Sequence, residues 1–202
     1  MARKKIKISD IRRAQIISAA KFEFARNGFH ATTIPDIAQR ANISAGLVYH
    51  YFKDKENLLF QILCEVFDKY LTDIPRKSKG RDSLARFRAA VMAFCKVVDA
   101  NSDATMLVYR EIPSLTKAHR NALEAKELQS IEMIEKFIRD CIDDGVFREI
   151  NTQMFANQVV MFCHSWALKA WRFRTQMSVG EYVERGLRLL LHPVLEGGAS
   201  EA

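Results

Sequence analysis

The sequence predicts an all-α protein: an N-terminal three-helix helix-turn-helix head joined through a connector helix to a larger helical body. Three observations predict it. Apolar residues recur at three- and four-residue spacing, as in Leu58, Leu59, Ile62, Leu63, Val66, Phe67 and Tyr70, and nowhere alternate as a half-buried strand would. Capping and stop residues punctuate the chain at helix-length intervals. Hydrophobic residues make up 49% of the 202, enough for a packed core, with no repeat or low-complexity tract.

Taken in order, the first helix runs from about Ser9 or Asp10 to Asn27. Ile16, Ala19, Ala20, Phe22, Phe24 and Ala25 form its apolar face and Gly28 its stop. Thr33 caps the second, with Pro35 in its first turn and Asp36 near its positive end; Ile37, Ala38 and Ala41 face inward. After a break at Asn42, Ser44 caps a short third helix from Ala45 to about Tyr51. The fourth, the connector, runs from near Asp54 to about Thr72, and the polar, aperiodic segment Pro75–Asp82 reads as a linker. Five body helices follow: about Ser83–Asn101, Ala104–Glu111, Thr116–Asp144, Thr152–Arg174, and Ser178 to about Leu191. Glu181 completes a capping box with Ser178. The domain division falls at residues 1–55 and 56–202.

Charge separates the two parts. Residues 1–55 hold eleven of the 31 Lys and Arg but four of the 24 Asp and Glu, so this quarter carries the whole net charge of +7 and the remainder is neutral. A basic head on a neutral body suits a polyanion partner. No apolar run approaches the ~20 residues of a membrane span, and no apolar signal core follows the basic N-terminus, so a cytoplasmic protein is expected. Cys64, Cys95, Cys141 and Cys163 are scattered without ligand spacing and read as reduced, buried, small apolar residues. No metal cluster, nucleophile motif, phosphate loop or acid/base pair appears, so neither a cofactor nor an enzyme activity is expected.

The third helix carries the chemistry of the head. A helix that lies in a DNA groove needs small residues where its backbone approaches base edges, and hydroxyl or amide groups that bond phosphates. Ser44, Ala45 and Gly46 fit that need, and Gly46, a poor helix former, implies a close approach. Tyr49 and His50 come one turn later, within reach of phosphates. Thr33 sits at a helix N-terminus that favours a phosphate, and Lys55 can clamp the backbone as a point charge. Leu47 and Phe52 are expected to pack inward.

Residues 12–59 resemble the N-terminal DNA-binding domain of the TetR/AcrR family of bacterial transcriptional regulators. The resemblance rests on F-A-R-N-G-F-H-A-T-T-I-P-D-I-A (Phe24–Ala38) and A-N-I-S-A-G-L-V-Y-H-Y-F-K-D-K-E-N-L-L (Ala41–Leu59). Tyr51 departs from it, since many members have His before the Phe. The resemblance implies a homodimer that reads a palindromic double-stranded DNA operator, mostly as a repressor, and lets go when a small molecule enters the body. It implies DNA contacts at Thr33, Ser44, Ala45, Gly46, Tyr49, His50 and Lys55.

The body offers no polar cluster in sequence, which suggests an apolar pocket. Its expected lining is Phe67, Phe94, Met106, Tyr109, Phe162, Cys163 and Trp166, since Met and aromatics line adaptable pockets. His164 reads as a satisfied core or interface residue. Phe155, Val159, Phe162, Trp166 and Ala170, with Tyr182, Leu187, Leu189, Leu190 and Leu191, are expected to form a four-helix dimer interface. The run Trp166–Arg174 resembles TetR-like regulators of fatty-acid and sterol degradation that respond to acyl-CoA thioesters, with Arg110, Lys169, Arg172 or Arg174 available to meet a CoA phosphate or, equally, to bond the partner subunit or water. An acyl-CoA and a diffuse hydrophobic or aromatic effector of a multidrug-type repressor both stay open. So do two other classes, an effector-free DNA-binding structural protein and a helical enzyme for a phosphorylated substrate.

Overall fold

The computed structural model describes residues 8–195. Ten α-helices and one 3-10 turn occur in this span, without a named strand among the described residues. The head comprises α1 (Ile8–Asn27), α2 (Ile34–Arg40) and α3 (Ala45–Tyr51). Ile16, Ala20 and Phe24 of α1, Ile37 of α2 and Val48 of α3 are fully buried against one another. Phe22, expected on this apolar face, is instead exposed and lies beneath the Arg40 guanidinium, with Arg26 also over its ring. Gly28 ends α1 at φ +82°, a conformation open to glycine, and its N–H bonds the Phe24 carbonyl at 3.0 Å. The α2–α3 turn pivots on Asn42 at φ +53°, which Asn tolerates better than most side chains. There Ile43 N–H returns to Ala38 O at 3.0 Å, which fixes the angle between the two helices.

The connector α4 (Lys55–Lys77) is longer than expected, passing through Pro75. Proline near a C-terminus removes a single ladder bond. The fully buried Ile74 holds the last turn, and Ser78 bonds its carbonyl at 2.5 Å. The linker therefore shrinks to the few residues before α5 (Ser83–Ala100). Phe87, Ala90, Val91, Phe94 and Val98 make α5 the central helix, packed against α4, α7 (Lys117–Asp143), α8 (Thr152–Leu168) and α10 (Val179–Leu191). Between α5 and α7 run α6 (Ser102–Glu111) and the 3-10 turn Ile112–Ser114. The single expected helix Thr152–Arg174 breaks at Lys169, and Ala170–Phe173 forms a separate turn, α9. Arg148 N–H bonds Val194 O at 2.9 Å and closes the end of α10 onto the α7–α8 loop. Among the described residues no helix is long and apolar enough to cross a membrane.

Head and body share one continuous core. Polar ties reinforce the junction. Arg110 of α6 donates to Phe24 O at 2.7 Å and pairs with the buried Glu111, which Ser114 also bonds. Glu56 of α4 accepts from Thr116 N–H and pairs with His119, whose ring stacks on Phe60 at 3.9 Å and 7°.

Candidate nucleic-acid interface and body site

Helix α3 divides cleanly into two sides. Val48 is fully buried and Ala45 packs partly inward, so the core grips one side. Val48, rather than the half-buried Leu47, takes the inward position expected of Leu47, while Phe52 is buried as expected. Ser44, Gly46, Tyr49 and His50 remain exposed together, Tyr49 at 56%. Ser44 caps the helix by accepting from Leu47 N–H at 3.3 Å. A Cβ at Gly46 would meet no protein atom within 4 Å, so nothing inside the molecule requires glycine there.

Two of the expected DNA contacts are engaged within the head. Thr33 caps α2, its N–H and hydroxyl both bonded to the Asp36 carboxylate at 2.8 and 2.6 Å. Those bonds hold the Asp36 carboxyl below the usual range, so the N-terminus of α2 carries an anion of its own. Lys55 spends its three donors on the carbonyls of Phe29 (2.8 Å), His30 (3.1 Å) and Thr32 (2.8 Å), with its ammonium over the Phe29 ring. In this conformation it clamps the α1–α2 turn to the start of α4 and has no N–H left for a phosphate.

The body residues expected to line a pocket separate into two aromatic clusters. Phe67, Phe94 and Tyr109 gather with Tyr70 and His164; Phe94 lies 4.4 Å from Tyr70 and 5.5 Å from His164. Phe162 and Trp166 belong to a second cluster, with Phe162 stacked on Tyr182 at 4.6 Å and 3°, and Phe173 completing it. Phe67, Phe94, Cys163 and Trp166 are buried, whereas Met106 and Tyr109 reach the surface. Cys163 packs beside Cys95 and the Val91 carbonyl. All four cysteines are free and buried, and burial pushes the Cys64 and Cys141 thiols up to about 11, far from thiolate reactivity at neutral pH. An open cleft of about 630 Å³ lies between α7 and α8, beside Leu128, Ile131 and Met154, and uses none of the expected lining.

His164 is where sequence and structure differ most. Its side chain is buried, and burial pushes its pKa down to about 4, so the imidazole is neutral. Nδ1 lies 2.7 Å from the Tyr109 hydroxyl, but Nε2 has no hydrogen-bond partner among the described residues. Of the expected phosphate-meeting cations, Arg110 is tied to Glu111 and Phe24, and Arg174 bonds Asp99 (2.9 Å) and Ser102; Asp99 also takes the Trp166 indole N–H at 2.7 Å. Lys169 and Arg172 stay exposed. Half of the expected interface set (Val159, Trp166, Tyr182, Leu187 and Leu191) is core of the protomer itself, while Leu189 is 80% exposed.

Residues 16–62 match the model for bacterial regulatory proteins of the tetR family, and residues 80–171 match a tetracyclin repressor-like C-terminal domain. The HTH-type transcriptional regulator HbdR of Aromatoleum sp. (strain CIB) is 45% identical over 190 residues, covering 94% of this chain and 83% of its own. The chain belongs to the TetR family. It is a DNA-binding transcriptional regulator, with α2 and α3 as the helix-turn-helix of that family. The HTH-type transcriptional repressor KstR2 of Rhodococcus jostii (strain RHA1) is 30% identical over 142 residues, 68% of each chain. The structure of AibR in complex with isovaleryl coenzyme A and operator DNA shares the fold at a TM-score of 0.76 and 18% identity, covering 88% of this chain and 97% of that one.

Within this TetR-family chain, the polar centre of the body escaped sequence reasoning because its members are far apart. Tyr109 and His164 are separated by 55 residues, and only the packing of α6 on α8 brings them together. The same holds for Arg110 and Phe24. No local pattern in the sequence marks either pair.

Proposed function

We propose that this TetR-family regulator is a homodimeric repressor whose two α3 helices read half-sites of a palindromic operator, and that a hydrophobic small molecule entering the body releases it. Ser44, Ala45, Gly46, Tyr49 and His50 make the DNA contacts in this reading, with Thr33 and Lys55 holding the head in shape. The observation that carries it is the two-sided α3, gripped by the core through Val48 and exposing Ser44, Gly46, Tyr49 and His50 as one face. Half-sites one DNA turn apart, ~34–36 Å, fit two such helices across a two-fold axis. The exposed Leu189 on α10 suits a subunit interface.

The effector we infer is an acyl-CoA thioester. The body packs aromatic and sulfur-bearing side chains around a neutral polar point, and a structural neighbour was solved with isovaleryl coenzyme A. The close packing of Phe67, Phe94, Cys163 and Trp166 also favours a second reading, a body that holds no effector at all. Mobility shift of DNA flanking the protein's own gene, with and without isovaleryl-, octanoyl- and benzoyl-CoA, separates the two. A specific shift relieved by one thioester supports the effector reading. A specific shift indifferent to the panel and to apolar aromatic compounds supports the effector-free body. Failure to shift any flanking DNA counts against local repression.

A further inference from the structure

His164 and Tyr109 make a hydrogen-bonded pair with one unused end. The Tyr109 O–H has two acceptors in reach, His164 Nδ1 at 2.7 Å and the Met161 sulfur at 3.4 Å. A ring nitrogen is much the stronger acceptor, so the hydroxyl donates to Nδ1. A neutral imidazole then carries its proton on Nε2. That N–H is buried on a ring packed against Tyr70 and Phe94, and finds no acceptor among the described residues. The hydroxyl of Tyr70, whose ring packs on the imidazole, is engaged with Thr105 at 3.4 Å. A buried donor without an acceptor is costly to folding and is uncommon in native structures. Its chemistry specifies what would satisfy it: an oxygen with a lone pair and no net charge. A carboxylate would lose its hydration against aromatic walls, and Glu127 close to Tyr109 adds a like charge.

We propose that the Nε2–H of His164 is the anchor for the carbonyl oxygen of an acyl effector, so that the body admits a neutral thioester and refuses the matching free carboxylate. This rests on the reading of the protein as effector-released. Met106 and Met161, both exposed, form the cover that the acyl chain displaces on entry, while Tyr109 stays on the imidazole. Methionine side chains reorganise at low cost, which suits them to that task. Tyr109 is a positioning residue, because its O–H places the imidazole proton on Nε2.

The test is titration calorimetry on the full-length protein with isovaleryl-, octanoyl- and benzoyl-CoA, the three free acids, and CoA alone. Wild type is expected to bind at least one thioester more than tenfold tighter than its free acid and than CoA. His164→Phe is expected to weaken that thioester at least tenfold and to erase the preference over the acid. His164→Gln, which keeps an N–H, is expected to recover part of both. Melting curves check that each variant is folded; His164→Phe removes the unsatisfied Nε2–H and leaves the Tyr109 hydroxyl the Met161 sulfur, so it should not lower the melting temperature. A thioester bound equally by wild type and His164→Phe, or no tighter than its acid, overturns the anchor and leaves the effector reading standing. Wild type that binds none of the thioesters overturns both.

Discussion

At Gly46 the demands of folding and of DNA binding point in opposite directions. Glycine inside a helix costs roughly 1 kcal/mol relative to alanine, and an alanine Cβ at this position would touch nothing in the protein. Gly46→Ala is therefore expected to raise stability by about 0.5–1 kcal/mol in urea unfolding while weakening operator binding about tenfold or more, since the added methyl lies on the exposed face of α3. Unchanged operator affinity would show that this face does not approach bases closely. His164 sets a second opposition. Its folded-state pKa of about 4 lies below the ordinary histidine value near 6.5, so the unfolded chain takes the proton first. The stability it contributes is whole above pH 6.5 and declines as pH falls toward 4, by about 3 kcal/mol in all. Other groups titrate there too, so the measure is the difference between wild type and His164→Phe in urea midpoints at pH 7 and pH 4.5. The variant is expected to lose less on acidification, and equal losses would mean that His164 is protonated as readily in the fold as out of it.

Between elements, α8 and α10 approach closely at Gly186. Gly186 faces the Phe162 ring, and a Cβ there would overlap it. Stacking on Tyr182, whose hydroxyl bonds the Phe162 carbonyl at 2.8 Å, resists a shift of the Phe162 ring. Overpacking costs about 1–3 kcal/mol, against roughly 1 kcal/mol gained from helix propensity. Gly186→Ala should thus lower the melting temperature, and Phe162→Leu in that background should restore part of it. A variant as stable as wild type would mean that α10 shifts freely on α8. This pair also shows what the sequence can and cannot tell. The Ser178–Glu181 capping box, the Gly28 stop and the Thr33 and Ser44 caps were legible because each is written within four residues. The end of α4 and the break at Lys169 are not: the polar, aperiodic segment from Pro75 reads as linker where the buried Ile74 carries the helix onward, and no breaker marks the end of α8. Half of the supposed interface proved to be protomer core because apolar periodicity reports which face is buried, not what buries it. The exposed face of α3 was read correctly as small and polar, but the engagement of Lys55 with three carbonyls depends on a turn 23 to 26 residues away.

Across the molecule, α6 bears on both the body's polar centre and the head. Tyr109 points to His164 in the body while its neighbour Arg110 holds Phe24 O at the end of α1. A ligand that shifts the Tyr109–His164 pair therefore moves the helix to which the head is tied. For release to follow, the effector must prefer the arrangement that DNA does not, with a coupling of about 1–3 kcal/mol, or roughly 5- to 150-fold in operator affinity. The double variant Arg110→Met/Glu111→Gln removes the tie without leaving a buried charge unpaired. Operator binding without effector should change little, and effector affinity for DNA-free protein should persist, because Arg110 is engaged with Glu111 and Phe24 O and Glu111 is buried. The effector-induced loss of operator affinity, measured by titration with and without saturating effector, is expected to shrink to about threefold or less. If the full loss survives, coupling runs instead through α4, where Glu56 and Phe60 grip His119 of α7 at the other edge of the same junction. Because linkage is reciprocal, the same number must be recovered by measuring effector affinity with and without operator. A mismatch between the two would mean that the variant has altered more than the link between the sites.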